Sequence, residues 1–105
     1  MINQTILTMA KQINAKELKF AKFKMMYDND RNQITIMKGV KGLRITYNSV
    51  TDLYDLQKVK IKKFDLVEDD VETGFYSDQL QTQIQNYFTN FEYVMESIKI
   101  VGVNC

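Results

Sequence analysis

The chain has no histidine, no proline and no tryptophan, and a single cysteine. The missing histidine is the strongest exclusion. Histidine is the usual general base near neutral pH and the commonest metal ligand, so Ser-His-Asp and Cys-His catalytic arrangements are ruled out. Most zinc sites go with them, because one cysteine cannot supply a ligand set. That cysteine, Cys105, is the last residue. It forms no intrachain disulfide and reads as an incidental thiol rather than a tuned nucleophile. No apolar run approaches the roughly 20 residues that span a bilayer, and the N-terminus lacks a basic-then-apolar signal pattern. The expectation is a soluble protein of the cytoplasm, not at a membrane, with no catalytic residues, no metal and no cofactor.

What is present suits one domain, residues 1–105, with one modest core. Composition is that of a globular chain, 45% hydrophobic and 26% charged. The net charge of +1 is unevenly spread: residues 1–37 carry +3, residues 38–63 carry +5 and residues 64–105 carry −7. One basic and one acidic face follow, read either by a partner or by packing one against the other.

Ile2, Ile6, Met9, Ala10 and Ile13 fall on one helical face, predicting a helix over 2–13 that stops at Asn14. Residues 17–26 alternate as a strand whose phase slips near Phe20–Ala21, predicting a bulge. The Asp28 to Asn32 cluster is a turn, followed by a strand over 33–38, a turn over Gly39 to Gly42 and a strand over 43–48. A turn over Asn48 to Asp52 leads to a long strand over 54–67, with Val59 and Ile61 inward, Lys58, Lys60 and Lys62 outward, and a second bulge at Lys63–Phe64. Ser77 reads as an N-cap with Asp78 in the first turn. Leu80, Ile84, Tyr87, Phe88 and Phe91 then form the clearest helical face of the chain. Ser97 to Val103 alternates like a short final strand, and continuation of the helix through Met95 is the competing reading. The predicted fold class is α+β: an N-terminal helix, a four-stranded antiparallel meander and a C-terminal helix, with or without the short final strand.

Thr5-Ile6, Gln12-Ile13 and Phe20, then Arg44-Ile45-Thr46-Tyr47 with Thr51-Asp52-Leu53-Tyr54-Asp55-Leu56, then Gly74-Phe75-Tyr76-Ser77-Asp78-Gln79-Leu80 and Phe88, form a pattern. It resembles a family of small uncharacterised bacteriophage and mobile-element proteins with Asp-x-Tyr-Asp and Tyr-x-x-Gln-Leu segments. The resemblance covers about residues 3–93, leaving 94–105 as an extension; it departs from the family at Lys22 to Met26 and at Thr89 to Tyr93. It implies a fold and an origin more than an activity.

Four groups of residues carry candidate chemistry. Asp52 and Asp55 flank Tyr54 but point to opposite faces of an extended segment, so Asp52 reads as a turn closer rather than half of an acid pair. Glu68, Asp69, Asp70 and Glu72 lack the Asp-x-Asp-x-Asp-Gly spacing of a calcium loop. They read as a solvated connector or, more sharply, as a surface imitating nucleic-acid phosphates. Lys58, Lys60 and Lys62, with Lys41 and Arg44, form a row suited to phosphates, and equally to protecting an edge strand. Tyr76 and Tyr93 sit near helix ends where tyrosine anchors protein contacts. Small size, missing catalytic residues, polarised charge and the resemblance together lead to one expectation. It is a non-enzymatic protein, monomer or homodimer, that inhibits a host defence complex in the manner of an anti-CRISPR protein. Contacts would come from Asp69, Asp70, Glu72, Tyr76 and Asp78, the partner being a host protein or protein–nucleic acid complex. The alternative is a nucleic-acid-binding accessory protein that uses Lys41, Arg44, Lys58, Lys60 and Lys62.

Overall fold

Helix α1 (Gln4–Gln12) starts where Asn3 caps it, its side-chain oxygen accepting from the Ile6 N–H at 2.7 Å. The same Asn3 amide donates to the Asn29 carbonyl at 3.1 Å and to Asn32 Oδ1 at 3.0 Å, tying the helix start to the first hairpin turn. In the computed structural model, which describes residues 2–88, Ile6 and Met9 are fully buried and Ile13 nearly so.

Asn14 does not end the helical region. It takes a left-handed conformation (φ 58°), and a second helix, α2 (Ala15–Phe20), starts at once. The strand predicted over 17–26 is therefore right only at its end, where Lys24 to Met26 are extended; residues 17–20 are helical. Its apparent alternation placed Phe20 inward, yet Phe20 is 83% exposed, while Ala15 and Leu18 pack on the core at helical spacing. The helix ends in a Schellman arrangement: Lys22 (φ 72°) donates to Lys19 O and Phe23 to Leu18 O. That left-handed residue, not a bulge, shifts the phase.

Five strands among the described residues form one antiparallel meander in the order β1 (Lys24–Asp28), β2 (Gln33–Lys38), β3 (Lys41–Asn48), β4 (Leu53–Lys62) and β5 (Asp65–Phe75). The predicted meander had four. Lys63 and Phe64 are not a bulge but the two central residues of a hairpin turn, and the acidic stretch beyond them is β5 rather than a connector. Gly39–Val40 is a tighter turn than predicted, with Gly42 inside β3.

Residues 77–79 form a 3₁₀ turn and residues 80–88 are helical, here α3. The cap is Tyr76 rather than Ser77, its N–H donating to Gln79 Oε1 at 2.8 Å, and Asp78 lies in the first turn as expected. Leu80, Ile84 and Phe88 are buried on the predicted face. All three helices cover one face of the sheet, where Ile34, Ile36, Leu43, Ile45, Tyr54 and Leu56 complete the core. Phe91, Tyr93 and the readings for the tail lie outside the described residues.

Among the described residues the other face has no helix, and it too is packed locally. Met37, Gly42 and Val59 are cross-strand neighbours, and Val59 is only 2% exposed. A Cβ on Gly42 would strike the Met37 sulfur, lie 2.8 Å from Val59 Cγ2 and 3.1 Å from the Ile36 carbonyl. Gly42→Ala is expected to destabilise the fold by about 1–3 kcal/mol in urea unfolding. The same substitution is expected to cost less in a Met37→Ala background, because the nearest obstruction is gone.

Candidate functional site

Cross-strand pairing decides which charged side chains meet. Leu56 pairs with Ile45 on the helix side, so alternation carries Lys58, opposite Leu43, and Lys60, opposite Lys41, onto that side as well. The prediction had this inverted: Val59 and Ile61 lie on the helix-free face. Both lysines stay largely exposed, Lys58 at the margin of α3. There the Tyr87 ring meets two ammonium groups, Lys41 Nζ at 4.2 Å and Lys58 Nζ at 5.5 Å from its centroid. Lys41 Nζ also donates to the Tyr87 carbonyl at 3.3 Å. A cleft of about 390 Å³ opens beside them, lined among others by Lys41, Lys58, Glu72, Gln83, Asn86 and Tyr87.

Arg44 leaves this group. It lies on the helix-free face, donates to Gln57 Oε1 at 3.0 Å and forms an ion pair with Glu68. Gln57 in turn donates to the Asp69 carbonyl at 2.9 Å. This network staples β3, β4 and β5 together and commits Arg44 and Glu68 to the sheet.

Among the described residues β5 is an edge strand, exposed at every position except the half-buried Phe75. Its register slips twice against β4. One extra residue is inserted at Asp69–Asp70 opposite Lys58, and one at Thr73–Gly74 opposite Asp55. Gly74 takes φ +85°, which a bulge of this kind assigns to glycine. The first bulge sets Asp69 and Asp70 beside Lys58 and Glu72 in a shallow concavity. The five residues predicted for protein contact, Asp69, Asp70, Glu72, Tyr76 and Asp78, thus run along one continuous exposed border, with Tyr76 61% exposed. Among the described residues Asp69, Asp70 and Glu72 form no ion pair. The two predicted sites, basic and acidic, adjoin along the β4–β5 hairpin instead of occupying opposite faces.

At the hairpin tip, Lys62 pairs with Asp65, leaving Lys63 (φ 52°) and Phe64 (φ 70°) as a two-residue turn with both φ positive. Such turns favour Asn-Gly, and a side chain with a Cβ holds this conformation at a cost of roughly 1–2 kcal/mol per residue. Phe64 is fully exposed. Sequence reasoning marked a break in phase here but read it as a bulge, because neither residue signals a turn.

Asp52 acts as predicted. It is left-handed (φ 57°), donates its N–H to Asn48 O at 2.8 Å and accepts from Tyr47 OH at 2.5 Å. Among the described residues no group of three or more acidic or cysteine side chains is placed to hold a metal ion, and no helix is long and apolar enough to cross a membrane.

Burial first, and the Lys58 charge second, hold the Lys41 ammonium below the ordinary lysine range. The unfolded chain therefore binds more protons at this site between the folded and unfolded midpoints, and Lys41's contribution to stability rises with pH through that alkaline window. Lys58→Gln is expected to raise the Lys41 midpoint part of the way back, seen by NMR titration of the lysine side chain. It is also expected to narrow the window of pH-dependent stability.

No family model, no curated protein and no solved structure matches the chain.

Proposed function

We propose that this chain is a non-enzymatic binding protein that presents the outer border of β5 to a basic surface on a protein partner. One observation carries this reading. Among the described residues, β5 is an eleven-residue edge strand exposed along nearly its whole length, and it bears five carboxylates, of which Asp69, Asp70 and Glu72 have no ion-pair partner there. Protecting an edge against stray strands needs only bulges and an occasional charge. A run of one sign goes further, because adjacent carboxylates repel one another and gain most when a partner supplies the cations. Tyr76, exposed at the end of the run, adds an amphipathic ring of the kind enriched in protein contacts.

A row of acids on an extended strand offers concentrated negative charge of the sign that a nucleic-acid-binding groove attracts. On this reading the partner is a host defence nuclease complex and the chain its inhibitor, in keeping with the phage or mobile-element origin that the sequence resemblance implies. Charge reversal at Asp69→Lys, Asp70→Lys and Glu72→Lys is expected to lower recovery of a nuclease-resistant host partner at least tenfold in affinity purification, with the thermal midpoint nearly unchanged. Equal recovery by the reversed variant would remove the reading.

A second reading has one observation of its own. Lys60 lies directly opposite Lys41, Lys58 converges with Lys41 on Tyr87, and alternation puts Lys62 on the same side, so four of the five predicted basic residues share a face. That face would bind nucleic-acid backbone. Lys58→Glu, Lys60→Glu and Lys62→Glu together should then abolish a salt-sensitive gel shift. Nuclease-sensitive recovery of nucleic acid in the same purification separates this reading from the first.

A further inference from the structure

The hairpin tip carries a residue that the fold does not need. Phe64 buries nothing within the described residues, being fully exposed, and it holds a left-handed backbone that glycine would adopt without strain. Exposure alone does not single it out, since Val50 and Phe20 are 92% and 83% exposed. The combination of full exposure, an aromatic ring and a strained two-residue turn does, because strain of this kind concentrates where a side chain is presented for use. Ile61 and Leu66, paired directly behind the tip on the helix-free face, are half exposed, and Lys60 and Lys62 lie on the opposite face.

We propose that Phe64 is the anchor of the β4–β5 hairpin. It inserts, with Ile61 and Leu66 behind it, into an apolar pocket of a protein partner whose rim carries carboxylates that meet Lys60 and Lys62. This rests on the reading of the chain as a protein-binding module and adds a second contact to it. Charge along the hairpin selects a protein over a membrane or a nucleic acid. Residues 53–75 hold six acids and four lysines. A bilayer or duplex is a continuous anionic surface and would meet Glu68, Asp69, Asp70 and Glu72 together with the lysines. A protein surface can be acidic at the tip and basic beside β5. Four residues of strand separate Phe64 from Glu68, roughly 13 Å, which exceeds the Debye length of about 8 Å at physiological salt. The two ends can therefore be matched by patches of opposite sign.

The test uses the full chain with the photo-crosslinking residue p-benzoylphenylalanine at position 64, and at position 50 as an exposed control. The chain is irradiated in a bacterial host, and the adduct is identified, purified and titrated against the unlabelled chain. The expected result is a protein adduct at 64 and not at 50. Its dissociation constant should rise about ten- to a hundredfold with Phe64→Ala and less than about twofold with Val50→Ala. In urea unfolding, Lys63→Asn with Phe64→Gly is expected to move the midpoint upward. A lower midpoint would show that the ring serves the fold and would overturn the proposal. So would the absence of a protein adduct at 64, or tight binding of the wild-type chain to phosphatidylglycerol vesicles or duplex DNA that Phe64→Ala abolishes. A partner that Asp69→Lys with Asp70→Lys releases, while Phe64→Ala changes its affinity less than twofold, would overturn the anchor and leave the acidic-edge reading standing.

Discussion

Side-chain alternation along β4 is the constraint on which the rest of this structure depends. The strand is paired on both sides, so its register is fixed by two neighbours at once. Tyr54 and Leu56 must enter the core, and alternation then commits Lys58, Lys60 and Lys62 to the same side. A buried ammonium is expensive unless it is paired. The fold meets this by placing Lys58 at the border of α3, where Tyr87 offers Lys41 a carbonyl and offers both Lys41 and Lys58 the face of its ring, and by leaving Lys60 and Lys62 exposed toward the hairpin tip. Val59, forced to the other face by the same rule, is covered there without any helix among the described residues.

β5 follows β4 only by slipping. Glu72 and Phe75 are three residues apart and would lie on opposite faces of a regular strand. The inserted residue at Thr73–Gly74 brings both to the helix side, so that Phe75 packs on the core. The insertion at Asp69–Asp70 keeps Glu68 and Val71 on the helix-free face, where Glu68 pairs with Arg44. Each slip thus satisfies the core or the staple at one end and leaves acids projecting from the border. The exposed acidic edge follows from how β5 is fitted to β4.

Much of the fold was legible where period and burial agree. The faces of α1 and of the helix from Leu80, the strands over 33–38 and 43–48, and the turn closed by Asp52 were all readable from residue type and spacing. Two regions were not. Leu18 and Phe20 gave a period of two by coincidence, and a lysine in the left-handed position at Lys22 concealed the helix end that glycine would have marked. Lys63 and Phe64 concealed a hairpin for the same reason. One long strand was read where two meet, which turned β5 into a connector, and taking the apolar Val59 and Ile61 as inward reversed the faces assigned to Lys58 and Val59. The acidic residues were chosen correctly as exposed, since charge alone predicts that. Their adjacency to the lysines depends on a pairing that no local signal announces, and Phe64 carried no signal because an exposed phenylalanine looks like any core residue in sequence.

The sign of the charge on β5 also bears on what the edge does not do. Antiparallel pairing of β5 with the β5 of a second copy would set five acids against five, and like charges placed across a strand pair are destabilising. Pairing with the other edge fares better in sign, since Lys19, Lys22 and Lys24 lie in or beside β1. But β1 has five residues, and the two insertions in β5 interrupt the row of backbone groups that strand addition requires. Backbone pairing is thus discouraged by geometry while side-chain charge remains fully displayed. An edge built this way resists its own kind, and it favours a basic surface that can meet the carboxylates without adding a strand.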